Sequence, residues 1–378
     1  MLTHTCSLVE ALQTIPDPRR QTANGKHLLV DIIILGFCAT LAGANNFVEI
    51  ALFASTNRAF FQTFLELPNG IPSHDTFNRV FSLLKPQTLQ AVLLPWLLAR
   101  RGNPGDHIHV DGKQMRGSRC SARNLGALHL VSAWAGEAGL TLGQVAVEAK
   151  SNEITAMPEL LKLLDLQGKI VTTDAMGCQK EVAETVIEGG GDYLLAVKDN
   201  QPTLHQQTQE AFAKEEAKER PTYPRYQTQE EGHGRIERRT VSVVSARTHL
   251  ARGLWRAWLG LRTLVKVVRE ITERATGKVS VEVSYYISSM KPNAKRIGRA
   301  IRSHWKIENG LHWVLDVVFR EDARKLYERT AGENVGFLNR LALSLLRGDE
   351  GKGSLTGKRK LAGWSLPFLA KLLGFSEV

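Results

Sequence analysis

Residues 169–201 read KIVTTDAMGCQKEVAETVIEGGGDYLLAVKDNQ, and their change of texture sets the fold class. Residues 169–174 have the β-branched composition of a strand, 179–187 the apolar spacing of a helix, and 192–197 again that of a strand. Working back, 154–166 is an amphipathic helix. Residues 107–111, 127–135 and 140–149 have strand composition, the last two split as a hairpin at Gly136-Glu-Ala-Gly139. Three strands of antiparallel type followed by helix, strand, helix, strand predict an α/β fold, a mixed sheet with helices packed on it.

Working forward, 203–220 is a charged helix. Residues 226–245, 261–273 and 278–288 return to β alternation, with Gly232-His-Gly234 at a turn. This predicts a strand-rich insertion at about 221–292. Residues 301–322, IRSHWKIENGLHWVLDVVFRED, wind as a helix with Ile301, His304/Trp305, Glu308, Leu311/His312, Leu315 and Phe319 on one stripe. Residues 334–346 form a further amphipathic helix. The last segment, 348–378, is a Gly-rich basic tail (Lys352, Lys358, Arg359, Lys360), expected to stay mobile until it meets a partner.

Residues 1–100 read as an all-α domain, with a short helix at 8–14 and longer ones over 28–43, 46–66 and 74–84. Ser73 is placed to cap the last, whose apolar face is Phe77, Val80, Phe81 and Leu84. His74, Asn78 and Arg79 point elsewhere, as on a bundle helix or one that enters a DNA groove. The run 28–44 contains Asp31 and falls short of the ~20 apolar residues of a membrane span, so it reads as a buried helix.

The chain carries 49 Lys+Arg against 38 Asp+Glu, a net charge of +11, which suggests a polyanionic partner, nucleic acid first. Residues 1–99 are balanced, with six basic and six acidic side chains, so the excess lies beyond them. The four scattered cysteines form no CxxC pair and read, with the absence of a signal-peptide pattern, as reduced thiols of a cytoplasmic protein.

Asp111 and Asp174 each end a short strand and are followed by small residues. Open α/β sheets place their sites at such strand ends, although most strand-end Asp residues are solvated turns. Glu308 sits on a mostly apolar stripe. There it either pairs with Arg302 or Lys306, reaches solvent by rotation of the helix, or acts as a functional acid. Two strand-end carboxylates and this Glu make a set suited to hard cations and to phosphoryl transfer.

At these residues the chain also resembles a known family. VDGKQMRGS (110–118), HLVSAW (129–134), EAKSNEITAMPELLKLLDL (148–166), TTDAMGCQ (172–179), DYLLAVKDNQ (192–201), GHGRIERRTV (232–241) and YYISS (285–289) follow in order. With the 301–322 helix, they closely resemble the DDE-class insertion-sequence transposases, in the branch of the H-repeat-associated proteins. The match extends to DPRRQTANGKHLLVDIIILGFCATLAGANNFVEIA and LPNGIPSHDTFNRVFSLL, and covers about 8–347.

The resemblance implies an RNase H-like catalytic domain at 106–347 interrupted by the β-rich insertion. It also implies a helical transposase-associated domain at 1–100, and Asp111, Asp174 and Glu308 as catalytic, metal-binding residues. The ligand implied is Mg²⁺, with Mn²⁺ tolerated and two ions in the DNA-bound state. The partner is DNA, as terminal inverted repeats and target, held by a homodimer with no membrane involved; the enzyme is nucleoid-associated when bound. The Tyr, Arg and Lys that many related transposases place around the Glu are replaced here by Ile301, His304 and Leu315. His304 is then the candidate to take over the Arg's phosphate contact.

Lys113, Arg116, Lys198, Asn200, His233, Arg235, Arg302, His304 and Lys306 are the candidate DNA contacts. For Lys113 and Arg116 ordinary surface charge competes with this reading, and for His233 and Arg235 a hairpin-stabilising role. Two rival functions remain open. His107, His109 and Asp111 alternate on one strand face while His304, Glu308 and His312 share a helix stripe, which admits a zinc hydrolase. A transposase-derived DNA-binding protein with a decayed site is the non-enzymatic rival.

Overall fold

The structure, a computed structural model, describes residues 7–20, 27–147, 152–220, 222–232 and 234–375. Six helices come first: α1 (Leu8–Gln13), α2 (Leu29–Ala42), α3 (Phe47–Thr56), α4 (Arg58–Phe61), α5 (His74–Leu83) and α6 (Pro86–Arg101). There follow β1 (His107–Met115), β2 (Leu128–Ala135), β3 (Leu140–Ala146), α7 (Glu153–Lys162), β4 (Ile170–Thr173), α8 (Lys180–Glu188), β5 (Asp192–Val197) and α9 (Pro202–Glu216). The strand-rich region holds β6 (Arg225–Gly232), β7 (Arg235–Ser245), α10 (Ala246–His249), α11 (Arg252–Arg256), β8 (Thr263–Glu273) and β9 (Val279–Ser288). Then come α12 (Ala294–His304), a π-helical turn (Glu308–His312), α13 (Trp313–Val317), α14 (Arg329–Gly348), α15 (Leu355–Trp364) and α16 (Leu366–Leu373).

The strands join in one nine-stranded mixed sheet of order β3-β2-β1-β4-β5-β9-β8-β7-β6. β1, β4 and β5 are parallel neighbours, and β2–β3 is the expected hairpin. This is the RNase H-like sheet. The strand-rich region continues it rather than forming a separate layer. β9 pairs antiparallel with β5, which covers an edge that would otherwise present unpaired backbone groups.

The chain divides into two compact units, one of Met1–Gly105, Gly112–Ala149 and Glu308–Val378, the other of Asp106–Asp111 and Lys150–Ile307. The core of the first is α14, buried from Ala331 to Leu346 and packed on α2, α5, α6, β2 and β3. Asn334 Nδ2 donates to the carbonyls of Phe81 (2.8 Å) and Leu84 (2.7 Å), which satisfies acceptors at the end of α5. Arg340 and Glu321 form an ion pair at 3.0 Å with neither side chain exposed. As expected, Ser73 caps α5 and Phe77, Val80, Phe81 and Leu84 are buried.

Three expectations change in this unit. The helix predicted over 46–66 breaks at Asn57, whose side chain turns back to the Phe53 carbonyl at 2.8 Å. The helix predicted over 301–322 opens at Glu308–His312 into a π turn, where Arg347 Nη2 holds the Gly310 carbonyl at 2.7 Å. Gly310 weakens the regular ladder there. The third concerns the tail. Instead of a mobile segment it forms α15 and α16, and α15 packs on α2. Arg359 and Lys358, expected in a mobile basic tail, are buried. Arg359 donates to the carbonyls of Thr40 (3.1 Å) and Val318, with its guanidinium 4.3 Å from the Phe319 ring centre.

In the second unit α12 lies across the sheet, and Ile297, Ala300 and Ile301 pack on Ile170, Leu194, Val241, Val243, Val265 and Val267. Trp258 is buried in the same unit, and Trp255 donates its indole N–H to the Leu261 carbonyl at 2.8 Å. Among the described residues no single helix is long and apolar enough to cross a membrane. α2 is buried nearly throughout, as its sequence predicted.

Candidate active site

Val110 of β1 stands opposite Thr173 of β4 in the parallel register. The next residue in each chain segment is a carboxylate, so Asp111 and Asp174 come side by side, both half-buried. Asp174 follows the end of β4, whereas β1 runs on to Met115, so Asp111 lies within its strand and does not end it as the sequence suggested. The Gly177 N–H donates to Asp174 Oδ1 at 3.2 Å. A Cβ at Gly177 would come within 2.5 Å of Thr173 Cβ, so glycine lets the turn close over the strand end. Burial raises the Asp174 carboxyl above its ordinary value, opposed by the Gly177 N–H and by the Lys198 ammonium.

The loop after β5 is tied to the Asp174 loop. Asn200 Nδ2 donates to the Ala175 carbonyl at 2.6 Å and Gln201 Nε2 to the Cys178 carbonyl at 3.0 Å. These straps hold exposed Lys198 beside Asp174, while the Asn200 amide is engaged with backbone.

Two residues back along each strand lies a buried polar row. His109 Nδ1 is 2.7 Å from Thr172 Oγ1, His109 Nε2 is 3.0 Å from Ser303 Oγ, and Thr172 Oγ1 is 2.8 Å from His304 Nδ1. A hydroxyl has one proton to give, so Thr172 donates to one imidazole and accepts from the other. The two rings therefore hold opposite tautomers at Nδ1. Burial lowers His109 to about 3, with His304, His107 and Lys306 adding repulsion, and lowers His304 to about 4. Both are neutral at pH 7. His304 thus sits in this row, turned toward Thr172 and not outward as a phosphate contact would be. With both ring nitrogens on hydroxyls, His109 has none left for zinc.

Glu308 is exposed and opens the π turn, four residues beyond His304 in the chain. Of the other candidates, Lys198 and Lys306 are exposed. Arg302 is engaged by Glu230, bidentately, at 3.0 and 2.7 Å. Arg235 is exposed and lies opposite Glu273 in the β7–β8 register. His233 lies outside the described residues.

Lys113 departs from its expected place on the surface. Its ammonium is buried, 2.6 Å from Asp316 and 2.9 Å from Asp322, so a phosphate would have to displace two carboxylates. Burial raises Asp316, against the pull of Lys113. Arg116 differs: its side chain is 82% exposed, with only a 3.4 Å contact to Asp322. Thr172 and Ser303 were missed in the sequence. Their one signal is a small hydroxyl residue beside a histidine at a position that strand or helix spacing turns inward.

The DDE_Tnp_1-associated family matches residues 9–97, and the Transposase DDE domain family matches residues 102–345. The protein named "H repeat-associated putative transposase YhhI" of Escherichia coli K12 is 38% identical over 373 residues, 98% of each chain. "Putative transposase YncI" of Escherichia coli O157:H7 is 39% identical over 376 residues, 97% of this chain and 94% of that one. A solved piggyBac transposase synaptic complex with hairpin DNA matches 99% of this chain and 83% of that chain at 11% identity and a TM-score of 0.45. On the two family matches and the full-length relatives, the chain belongs to the DDE-domain transposases, in the group of the H repeat-associated proteins.

Proposed function

We propose that the protein cuts DNA at the ends of an insertion sequence and joins the freed strand to target DNA, with Asp111, Asp174 and Glu308 as its metal-binding acids. The observation that carries this is the parallel register that sets Asp111 and Asp174 side by side. Their donor atoms are carboxylate oxygens, and the imidazole nearest them in the strand is committed to hydroxyls, a set that fits a hard cation better than zinc. Mg²⁺, with Mn²⁺ as substitute and two ions in the DNA-bound state, would polarise the phosphoryl oxygens and acidify the attacking water.

The chain's own residues supply position and charge. The straps from Asn200 and Gln201 hold the Asp174 loop, and Lys198 counters the negative charge there. Lys198, Arg116, Arg235 and Lys306 are the exposed cations offered to DNA, whereas Lys113 and Arg302 hold carboxylates. Residues 106–347 would be the catalytic domain and residues 1–100 would add sequence preference, in a homodimer on DNA within the nucleoid. The test is cleavage of duplexes carrying the element's terminal repeats by metal-stripped protein. Cutting is expected with millimolar-scale Mg²⁺ or Mn²⁺. Restoration by one equivalent of Zn²⁺ but not by excess Mg²⁺ would support the hydrolase, and binding without cutting in any metal would support the decayed site.

A further inference from the structure

Between residues 112 and 136 the chain carries Lys113, Arg116, Arg119 and Arg123 and no Asp or Glu. Lys113 is turned inward to Asp316 and Asp322, while the three arginines are exposed on the connection from β1 to β2. That connection borders an open depression of about 670 Å³ lined by Gln114, Arg116, Arg119, Ser121, Asn124 and residues 125–127. Its size is that of a ligand pocket, but the apolar walls usual in such pockets are reduced to Leu125 and Ala127.

The loop is built to keep its shape. Cys120 and Leu125 exchange two backbone hydrogen bonds at 3.0 Å, and Asn124 takes the left-handed conformation (φ 51°) that closes the turn. Ser118 Oγ bridges the loop base, donating to the Met115 carbonyl at 2.7 Å and accepting from the Leu128 N–H at 2.6 Å. Gly117 passes so near the 322–324 backbone that a Cβ would lie 2.4 Å from the Arg324 carbonyl oxygen. Arg329, from α14, adds a guanidinium at the rim, on the Gly126 carbonyl at 2.8 Å.

We propose that this loop is a preformed site for the backbone phosphates of duplex DNA, with Arg116 and Arg119 as the charged contacts and Ser121 and Asn124 as neutral donors. It rests on the DNA-transposase reading and adds to it a second, sequence-independent contact apart from the Asp174 loop. Guanidinium groups match phosphate geometry in pairs, and the loop itself carries no acid; the carboxylate beside it, Asp322, is 3.4 Å from Arg116 and is already held by the Lys113 ammonium at 2.9 Å. None of the lining apolar groups is large enough to stack a base, which is why the site reads backbone and not sequence.

The experiment is anisotropy titration of the full chain with a labelled duplex of arbitrary sequence over a salt series, for the wild type, the Arg116→Ala/Arg119→Ala variant and the Arg116→Lys/Arg119→Lys variant. Loss of two phosphate contacts should flatten the slope of log K against log salt by about 1.8, roughly a thirtyfold loss of affinity at 0.15 M salt. The lysine variant should recover most of the slope. An alanine variant with the wild-type slope overturns the loop site and leaves the transposase reading standing. A wild type that binds no DNA overturns both. Competition by inorganic pyrophosphate with no change in DNA slope would assign the loop to a free anion and also overturn the proposal.

Discussion

Thr172 Oγ1 stands 2.8 Å from His304 Nδ1 and 2.7 Å from His109 Nδ1, so one hydroxyl on β4 links the strand of Asp111 to the helix that leads to Glu308. Replacing it by valine keeps the shape and removes the partner of two buried ring nitrogens. Each unsatisfied buried group costs about 1–3 kcal/mol. Thr172→Val should therefore lower the urea midpoint clearly, while Thr172→Ser stays close to wild type. A valine variant with an unchanged midpoint would show that the row carries no stability.

The same row sets an acid limit on stability. His109 is held at about 3 and His304 at about 4, both below the ~6.5 of an unfolded histidine. Above pH 6.5 the two contribute fully. As pH falls from there, the unfolded chain takes up protons that the folded chain refuses, and stability is lost at up to about 2.7 kcal/mol per pH unit down to 4, where both rings differ, and about 1.4 from there to 3. Glu333, pushed up to about 7 by burial, acts oppositely, its share being lost as pH rises from 4.5 through 7. Denaturation curves at pH 5 and 7 for wild type and His304→Asn isolate the histidine share. The variant should lose less on acidification, and an equal loss would contradict the assignment.

Much of the fold was legible because its signals are local. β5 falls on 192–197 as read, and Ser73 caps α5 as its position beside Pro72 suggested. Asp174 follows β4 as read, but β1 runs on to Met115, past the Gly112 that suggested its end at Asp111. What the sequence hid depends on distant partners. Lys113 reads as surface charge until Asp316 and Asp322 meet it, and Arg359 looks like tail until Thr40 and Phe319 enclose it. His304 fits a phosphate-binding place in the chain, and only the neighbouring strand, through Thr172, turns it inward.

The carboxy-terminal helices should be needed for folding. Gly363 packs so closely on α2 that a Cβ there would lie 2.6 Å from the Ala42 carbonyl oxygen, a backbone atom with little freedom to move. Gly363→Ala should destabilise by about 1–3 kcal/mol through overpacking. Removing residues 349–378 would uncover α2, whose residues from Ile32 to Leu41 are buried, and should give an insoluble or non-cooperatively unfolding protein. A truncated chain that melts like the full one would restore the mobile tail.

Glu321 and Arg340 test how far the first unit depends on one buried charge pair. Arg340 also donates to Ser132 Oγ (2.9 Å) and to the Gly336 carbonyl (2.9 Å), and Asn339 reaches Glu321 at 3.1 Å. Removing either charge leaves the other unpaired without water, which costs about 3–5 kcal/mol. Glu321→Leu or Arg340→Leu alone should be severely destabilised, and the double leucine variant much less so. Additive losses would show that the two charges do not act as a pair.

The carboxylates separate binding from chemistry. Asp111, within β1, and Asp174, just past β4, are half-buried, and Glu308 is exposed at the start of a π turn, so amide replacements disturb little packing. Asp174 is the most informative of the three, because burial already raises its carboxyl and a protonated acid is a poor ligand. Activity should therefore fall as the medium is acidified toward the raised Asp174 value, and excess Mg²⁺ should shift that fall to lower pH by competing with the proton. Asp111→Asn, Asp174→Asn and Glu308→Gln should each keep near-wild-type affinity for end-containing DNA, since removing a negative charge does not weaken phosphate binding. Each should lower cleavage by at least about a thousandfold, the scale of losing an electrostatic group that acts on the reacting phosphate. Gel-shift and nicking assays on the same preparations compare the two. A Glu308→Gln protein that nicks at the wild-type rate in Mg²⁺ would remove Glu308 from the site, and an Asp174→Asn protein that loses DNA affinity would recast Asp174 as a residue that shapes the binding surface.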